Sequence, residues 1–414
     1  MNDDTVRELD DGDNSPEALK QRFGRDIFRD FDIDDPGFNE HFFKALELMA
    51  RKCPVVRSNV GEGYWMVTRQ EEIRRIGQDW RTFTSAKGYL PNRPPDVPFF
   101  VPEEVDPPIH TAWRRVLNPF FGPRAIAQYE QAFRADANTL IDRFIDRGGC
   151  EFIGEFSSIF PGWAIFKNIL AVPLDMLEGL VRDAELAMFG SLEKRKHYMT
   201  EVYGRLEQFM RHREREPVPG DLVDTIIRGV EYPDGTLSPW KDKVGVVVDL
   251  VFGGLVTTTY VMSGAVHHLA MNPAERQILL NDLGLVENAI EEYVRVYSPV
   301  VAPGRVCTRD VEVAGVNMKE GDFVLLGFAA SSRDPATIEN PAKTDITRQP
   351  NHHIAFGAGP HRCIGSNLAR LELRVALEEW LKRVPNFSIK PGTAPTHETS
   401  ILRSMTSLHV VIGK

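Results

Sequence analysis

The chain has 414 residues, 42% of them hydrophobic and 26% charged, which is enough to bury a large core together with a cofactor. A net charge of -10 and a sequence pI near 5.6 argue against nucleic acid or an anionic membrane surface as the main partner. Only four cysteines occur, Cys53, Cys150, Cys307 and Cys363, without metal-type spacing, so neither a disulfide framework nor a structural metal site is suggested and a reducing, cytoplasmic setting fits.

Residues 1 to about 35 are polar and acidic and are expected to form a mobile arm, with no apolar run of the kind that targets or anchors a chain. From residue 36 to 414 a single domain is expected. Apolar residues at helical spacing (Phe42, Leu46, Met49) predict a helix over 39–52. Val55 to Arg57 and Tyr64 to Thr68, separated by Gly61 and Gly63, read as a hairpin, followed by a short helix over 71–79. Residues 84–108 carry seven prolines and the adjacent Phe99 and Phe100, an irregular loop of the kind that often binds ligands. After Asp106-Pro107-Pro108 a helix begins that places His110 and Arg114 four apart on one face.

Residues 124–271 read as mostly helical. Val244 to Val266 has no Lys or Arg and one acid, Asp249, so by length it could span a membrane. Four glycines, Thr257-Thr258-Thr259 and the acid favour instead a helix buried at the centre of a large protein. A further helix starts near Val286 and carries Glu292 and Arg295, a pair that alone would be an ordinary solvated one. Strand signals follow at 311–313 and 323–326.

The chemistry concentrates in Phe356-Gly357-Ala358-Gly359-Pro360-His361-Arg362-Cys363-Ile364-Gly365, a glycine-rich loop that opens into a helix at Ser366. Gly357, Gly359 and Gly365 permit a tight turn that aims amide N–H groups at the sulfur. The helix start favours the thiolate. Taken alone, Cys363 is better explained as a buried free thiol.

The full pattern Phe-Gly-x-Gly-x-His-x-Cys-x-Gly resembles the haem-binding loop of the cytochrome P-450 family, and the likeness extends from Tyr64-Trp65 to Leu408, closest to the soluble bacterial camphor-hydroxylase branch. The resemblance implies a mainly helical triangular-prism fold with small sheets and no doubly wound parallel sheet. It implies haem b lying between the helix around Gly254 and the Cys363 loop, with Cys363 as axial thiolate and Phe356 packed beside it. His110, Arg114, Arg305 and His361 would bind the propionates. Glu292 and Arg295 would join a buried network with a third partner from residues 341–348, where Thr344 replaces the usual Phe. Ser332 likewise stands where Asn is usual.

By the same resemblance Gly254 lets O2 and substrate approach, and Thr257 supplies a hydroxyl for oxygen activation. The residue before that threonine is usually an acid that relays protons, and here it is Val256. Either Thr258, Thr259 or ordered water replaces the relay, or turnover is slow and leaks peroxide. The substrate would meet Tyr89, Phe99, Phe100, Leu250, Gly254, Thr257, Val301, Ala302, Ile401 and Leu402, an apolar set suited to a compact hydrocarbon-like molecule such as a monoterpenoid or norisoprenoid, with a small aromatic as runner-up. Pro98 stands where camphor-type enzymes have a hydrogen-bonding tyrosine.

The implied activity is a haem-thiolate monooxygenase; the rivals are an enzyme of this fold that couples its substrate oxidatively, and a haem sensor without turnover. No nucleotide fingerprint follows a strand, so electrons are expected from a two-iron ferredoxin with its NAD(P)H-dependent reductase. Arg74, Arg114, Arg362 and Arg370 would form the docking patch on this acidic protein.

Overall fold

The structure, a computed structural model, describes residues 14–91, 99–189 and 191–413. The elements used below are, in chain order, α1 (Pro16–Phe23), α2 (Phe42–Lys52), β1 (Val55–Ser58), β2 (Tyr64–Val67), α3 (Gln70–Gln78), β3 (Phe83–Thr84), α4 (Ile109–Phe121), α5 (Glu130–Asp142) and β4 (Gly149–Glu151). They continue with α6 (Leu174–Met188), α7 (Leu192–Arg215), α8 (Trp240–Met271), α9 (Val286–Tyr297), β5 (Gly304–Cys307), β6 (Phe323–Leu326), α10 (Ser366–Arg383), β7 (Phe387–Ile389) and β8 (His409–Ile412). The elements pack as two compact units.

The first unit comprises residues 1–94, 291–362 and 399–403. Its sheet has the order β1-β2-β6-β5-β3. The expected hairpin is present, with Val55 opposite Val67, and β2 then runs parallel to β6 with Trp65 opposite Val324. The other neighbours, β6–β5 and β5–β3, are antiparallel. Val67, Ile73, Ile76, Phe83, Val324 and Leu326 bury one face of this sheet against α3, each large side chain contributing roughly 1.5–3 kcal/mol.

Residues 14–35 are not an arm. Ser15 accepts the Ala18 N–H at 3.4 Å and Pro16 opens α1, a capped start, and Leu19, Phe23, Ile27, Phe31 and Ile33 are buried. The acidic composition hid an apolar residue every three or four positions. The rest of the expected arm, residues 1–13, lies outside the described residues.

The second unit comprises residues 95–290, 363–398 and 404–414. Its axis is α8, 32 residues long, which starts after Pro239 and stops at Asn272 before Pro273. By length and composition α8 could cross a membrane, but most of it is buried by α6, α7 and α10. Trp380 of α10 sits fully buried among Phe144, Phe152, Phe156 and Phe387, with ring centroids 4.8–6.0 Å away. Arg134 of α5 bridges Glu130 to Glu378 and Glu379 of α10 at 2.6–2.7 Å. Both sets fix α10, whose first turn follows the cysteine loop. A small sheet of order β4-β8-β7 completes the unit.

Candidate active site

Within the first unit the glycine loop is pressed onto α3. Gly357 and Gly359 adopt φ of +76° and +73°, the left-handed region that glycine enters without strain. A Cβ on Gly359 would stand 2.0 Å from the Gly77 carbonyl oxygen, so no other residue fits there. Phe356 is half-buried, its ring centroid 5.9 Å from that of His353. Nε2 of His361 lies 3.3 Å from Oγ of Ser85. Arg305 is buried on β5 opposite Val324, its Nη1 donating to the Gly304 carbonyl at 2.6 Å.

In the second unit Cys363 is an exposed cysteine outside any disulfide, three residues ahead of α10. Gly365 has φ −80°, so the tight turn does not require glycine at this position, contrary to expectation. A Cβ there would instead sit 3.8 Å from the Cys363 sulfur, in contact with it. His110 is buried in the first turn of α4, and Arg114, one turn on, is half-buried with its Nε donating to Asn118 Oδ1 at 2.9 Å.

The middle of α8 opens on one side only. From Lys243 to Val266 every position is buried except Asp249, Gly253, Gly254 and Thr257. Asp249, Gly253 and Thr257 follow one another at intervals of four, a single stripe along the helix. A Cβ on Gly253 would meet nothing within 4 Å, whereas one on Gly254 would touch Ile165 at 3.7 Å. Gly253 is the more open of the two, beside the expected Gly254, which is itself only half-buried. Ile165 belongs to a π-helical stretch, Trp163–Ile169, the kind of local widening that recurs at functional sites. The Thr257 hydroxyl donates to the Gly253 carbonyl at 2.8 Å, which leaves its lone pairs to accept.

Val256 is 2% exposed and points into the core, away from the stripe. A carboxyl is nevertheless near. Glu372 of α10 is 1% exposed and hydrogen-bonded to Thr258, and burial holds it well above the ordinary carboxylate range despite that bond. Its Oε2 makes no hydrogen bond within the protein. Neither Glu372 nor Asp249 was expected as a site residue. Glu372 reads as a helix-surface acid from sequence, and Asp249 served only to argue against a membrane span.

The network around Glu292 and Arg295 is complete within the first unit. Arg295 Nε and Nη2 reach the two Glu292 oxygens at 2.7 Å each, and its Nη1 donates to the Ser332 and Pro341 carbonyls at 2.8 and 2.7 Å. The third partner is Arg348, 3.1 Å from Glu292 Oε2. Burial raises the Glu292 pKa, but the bonds and charge of Arg295 outweigh it and hold the acid below its ordinary value.

The expected substrate contacts divide between the units. In the first, Val301 and Ala302 are fully buried, their N–H groups donating to the Ile401 carbonyl at 2.8 and 3.4 Å. They are core residues and offer no surface to a ligand. Ile401 and Leu402 are nearly as buried, and Tyr89 is half-open, its carbonyl accepting the Gly304 N–H at 2.9 Å. In the second unit Phe100 packs on Phe252 with centroids 5.6 Å apart, Phe99 is exposed, and Leu250 is buried beside Asp249. Pro98 lies outside the described residues.

A haem needs one soft axial donor and a helix face without side chains above it. Cys363 offers an exposed sulfur at the head of α10, and Gly253 with Thr257 offers such a face on α8. The two helices are packed together and tied by the Glu372–Thr258 bond. These residues fit the group.

The chain matches the family model described as cytochrome P450 over residues 184–406. It is 33% identical over 339 residues to "Probable cytochrome P450 127A1" of Sinorhizobium fredii, covering 81% of each chain. It is 31% identical over 392 residues to "Cytochrome p450 CYP199A2" of Rhodopseudomonas palustris, covering 91% of this chain and 93% of that protein. The solved structure of the bacillaene polyketide synthase cytochrome P450 PksS from Bacillus subtilis superposes with a TM-score of 0.83 at 26% identity, over 93% of this chain and all of the other. With a mainly helical fold, small sheets, an exposed cysteine ahead of α10 and an opened α8, the chain belongs to the cytochrome P450 family, the haem b-dependent monooxygenases.

Proposed function

We propose that this monooxygenase inserts one oxygen atom from O2 into a C–H bond of a small, mostly apolar molecule with a monoterpenoid or norisoprenoid skeleton, with Cys363 as the axial thiolate. The observation that carries the reading is Cys363 itself, an exposed thiol at the head of a helix fixed against the only opened stretch of α8 between Lys243 and Val266. The bound haem supplies oxygen activation and C–H oxidation, tuned by thiolate ligation. His110 and Arg114, in the same unit as Cys363, are the groups proposed to hold its propionates. Phe356 and Gly357 shape the loop.

This chain's own residues supply the rest. Thr257 presents an accepting hydroxyl at the open face. Glu372 holds a proton on a buried carboxyl and passes it toward that face through Thr258, taking the place of the acid that Val256 cannot supply. Phe100 and Leu250, beside the open stripe of α8, are apolar and favour a hydrocarbon-like skeleton by area and shape.

A two-iron ferredoxin with its reductase is the proposed electron donor, docking on Arg74 and Arg362. Arg74 and Arg362 are exposed, while Arg114 and Arg370 are half-buried. Burial of α8 within its unit and four cysteines that form no disulfide support a soluble protein of the reducing cytoplasm.

The test is reconstitution with NADH, reductase, ferredoxin, O2 and a panel of terpenoid and aromatic ligands, chosen by the spin-state shift of the haem. A hydroxylated product from a terpenoid is the expected result, and Thr257→Ala should raise peroxide released per NADH. Binding without any oxygenated product across the panel would overturn the substrate reading.

A further inference from the structure

Asp249 is the single acid of α8 after Lys243. It lies deep in its unit yet keeps part of its surface open on the stripe of α8 that also exposes Gly253 and Thr257. It precedes Gly253 by one turn and Thr257 by two, on the same stripe. Its Cα is roughly 6 Å from that of Gly253, a span one small ring covers.

The loop after residue 98 runs along this part of α8. A Cβ on Gly245 would stand 2.9 Å from the Phe99 carbonyl oxygen, Phe100 packs on Phe252, and the Glu103 N–H donates to the Asp249 carboxyl. Glu104 is buried and accepts the Phe100 N–H at 2.8 Å. Burial first, then the charges of Glu103 and Glu104, oppose ionisation of Asp249; the Glu103 N–H and Arg114 favour it. The balance holds the acid well above its ordinary range. A neutral carboxyl that accepts with one oxygen can donate with the other.

We propose that Asp249 is a specificity-determining residue whose carboxyl O–H donates a hydrogen bond to a carbonyl oxygen on the substrate, fixing which carbon lies at the Gly253–Thr257 turn. The inference rests on the small-substrate reading above and names the one polar group such a substrate carries. A cationic amine would call for an ionised partner, which the surroundings of Asp249 disfavour.

The experiment measures dissociation constants of the holoenzyme, by haem spin-state shift, for two matched pairs: a bicyclic monoterpene ketone with its parent hydrocarbon, and acetophenone with ethylbenzene. In the parent the ketone of the skeleton that fits should bind about tenfold tighter than its hydrocarbon, roughly 1.4 kcal/mol, the upper range of one neutral hydrogen bond. Asp249→Leu should bring the ratio near one, and Asp249→Asn, which keeps a donor, should retain most of it. Without any variant, the ketone preference of the parent should fall as pH rises through the elevated pKa, while Asp249→Asn shows no such fall. A ratio that is unchanged in Asp249→Leu, or independent of pH in the parent, overturns the proposal. If none of the four ligands shifts the haem spectrum, the small-substrate reading fails and this proposal falls with it.

Discussion

Glu372 and Thr258 are hydrogen-bonded across the packed faces of α10 and α8, which sets a buried carboxyl, held well above its ordinary range by burial, one residue along from the Thr257 hydroxyl. Glu372 is the proposed proton donor in place of the acid that Val256 does not supply.

Replacing that donor is the first test. Glu372→Gln preserves size and a hydrogen bond to Thr258 but holds no transferable proton. Product formation should fall about 10²-fold, the lower range for loss of a general acid, with a larger solvent isotope effect and unchanged ligand binding. An unaltered rate and isotope effect would remove Glu372 from proton delivery.

The second prediction concerns pH and stability. Glu185 of α6 is pushed up to about 7, chiefly by burial, with Glu151 adding to the rise and a Ser158 hydrogen bond opposing it. Between the unfolded value of 4.5 and about 7 the folded state holds the extra proton, so stability falls as pH rises through that window. Glu185→Gln should gain on the parent across the window, by about 3 kcal/mol at most, and the difference should be flat above it. Denaturant melts at several pH values measure this, and a constant difference would contradict it.

Arg295→Ala strips the buried Glu292 of its main counter-charge and opens three carbonyls, those of Ser332, Pro341 and Lys343. A loss of about 3–5 kcal/mol is expected, seen as a lowered melting midpoint and poor retention of haem. Arg348→Ala should cost less, because Arg295 still holds both Glu292 oxygens. Equal losses would mean that the two arginines are not ranked as their geometry implies.

Charge reversal tests the donor surface. Arg362→Glu and Arg74→Glu should each raise the ferredoxin concentration for half-maximal rate about tenfold at low salt, with the effect shrinking as ionic strength rises. An unchanged concentration dependence would place the donor elsewhere.

What sequence could and could not reveal follows from the kind of signal each residue carries. Cys363 is embedded in a fixed run of glycines whose turn is local, so the loop, the start of α10 and the need for glycine at 357 and 359 were all legible. The Glu292–Arg295 pair and its third partner were legible because resemblance supplied the long-range contact. Gly365 misled, since its glycine serves the space beside the sulfur and not a turn. Gly253 and Gly254 are indistinguishable in sequence, and only packing of Ile165 beside one of them shows which is more open. Val301 and Ala302 carry the right chemistry for a pocket wall but lie in a sheet-side core. Asp249 and Glu372 matter through burial by segments distant in sequence, which no local pattern encodes. Residues 14–35 were missed because charge dominated their composition while every third or fourth side chain was buried.

The most direct measurement is the absorption spectrum of the reduced, CO-bound protein. Thiolate ligation by Cys363 is expected to give the red-shifted Soret band, and Cys363→His should abolish that band while haem remains bound. A parent spectrum without the red shift, or a Cys363→His variant that keeps it, would contradict Cys363 as the axial ligand and with it the site built here.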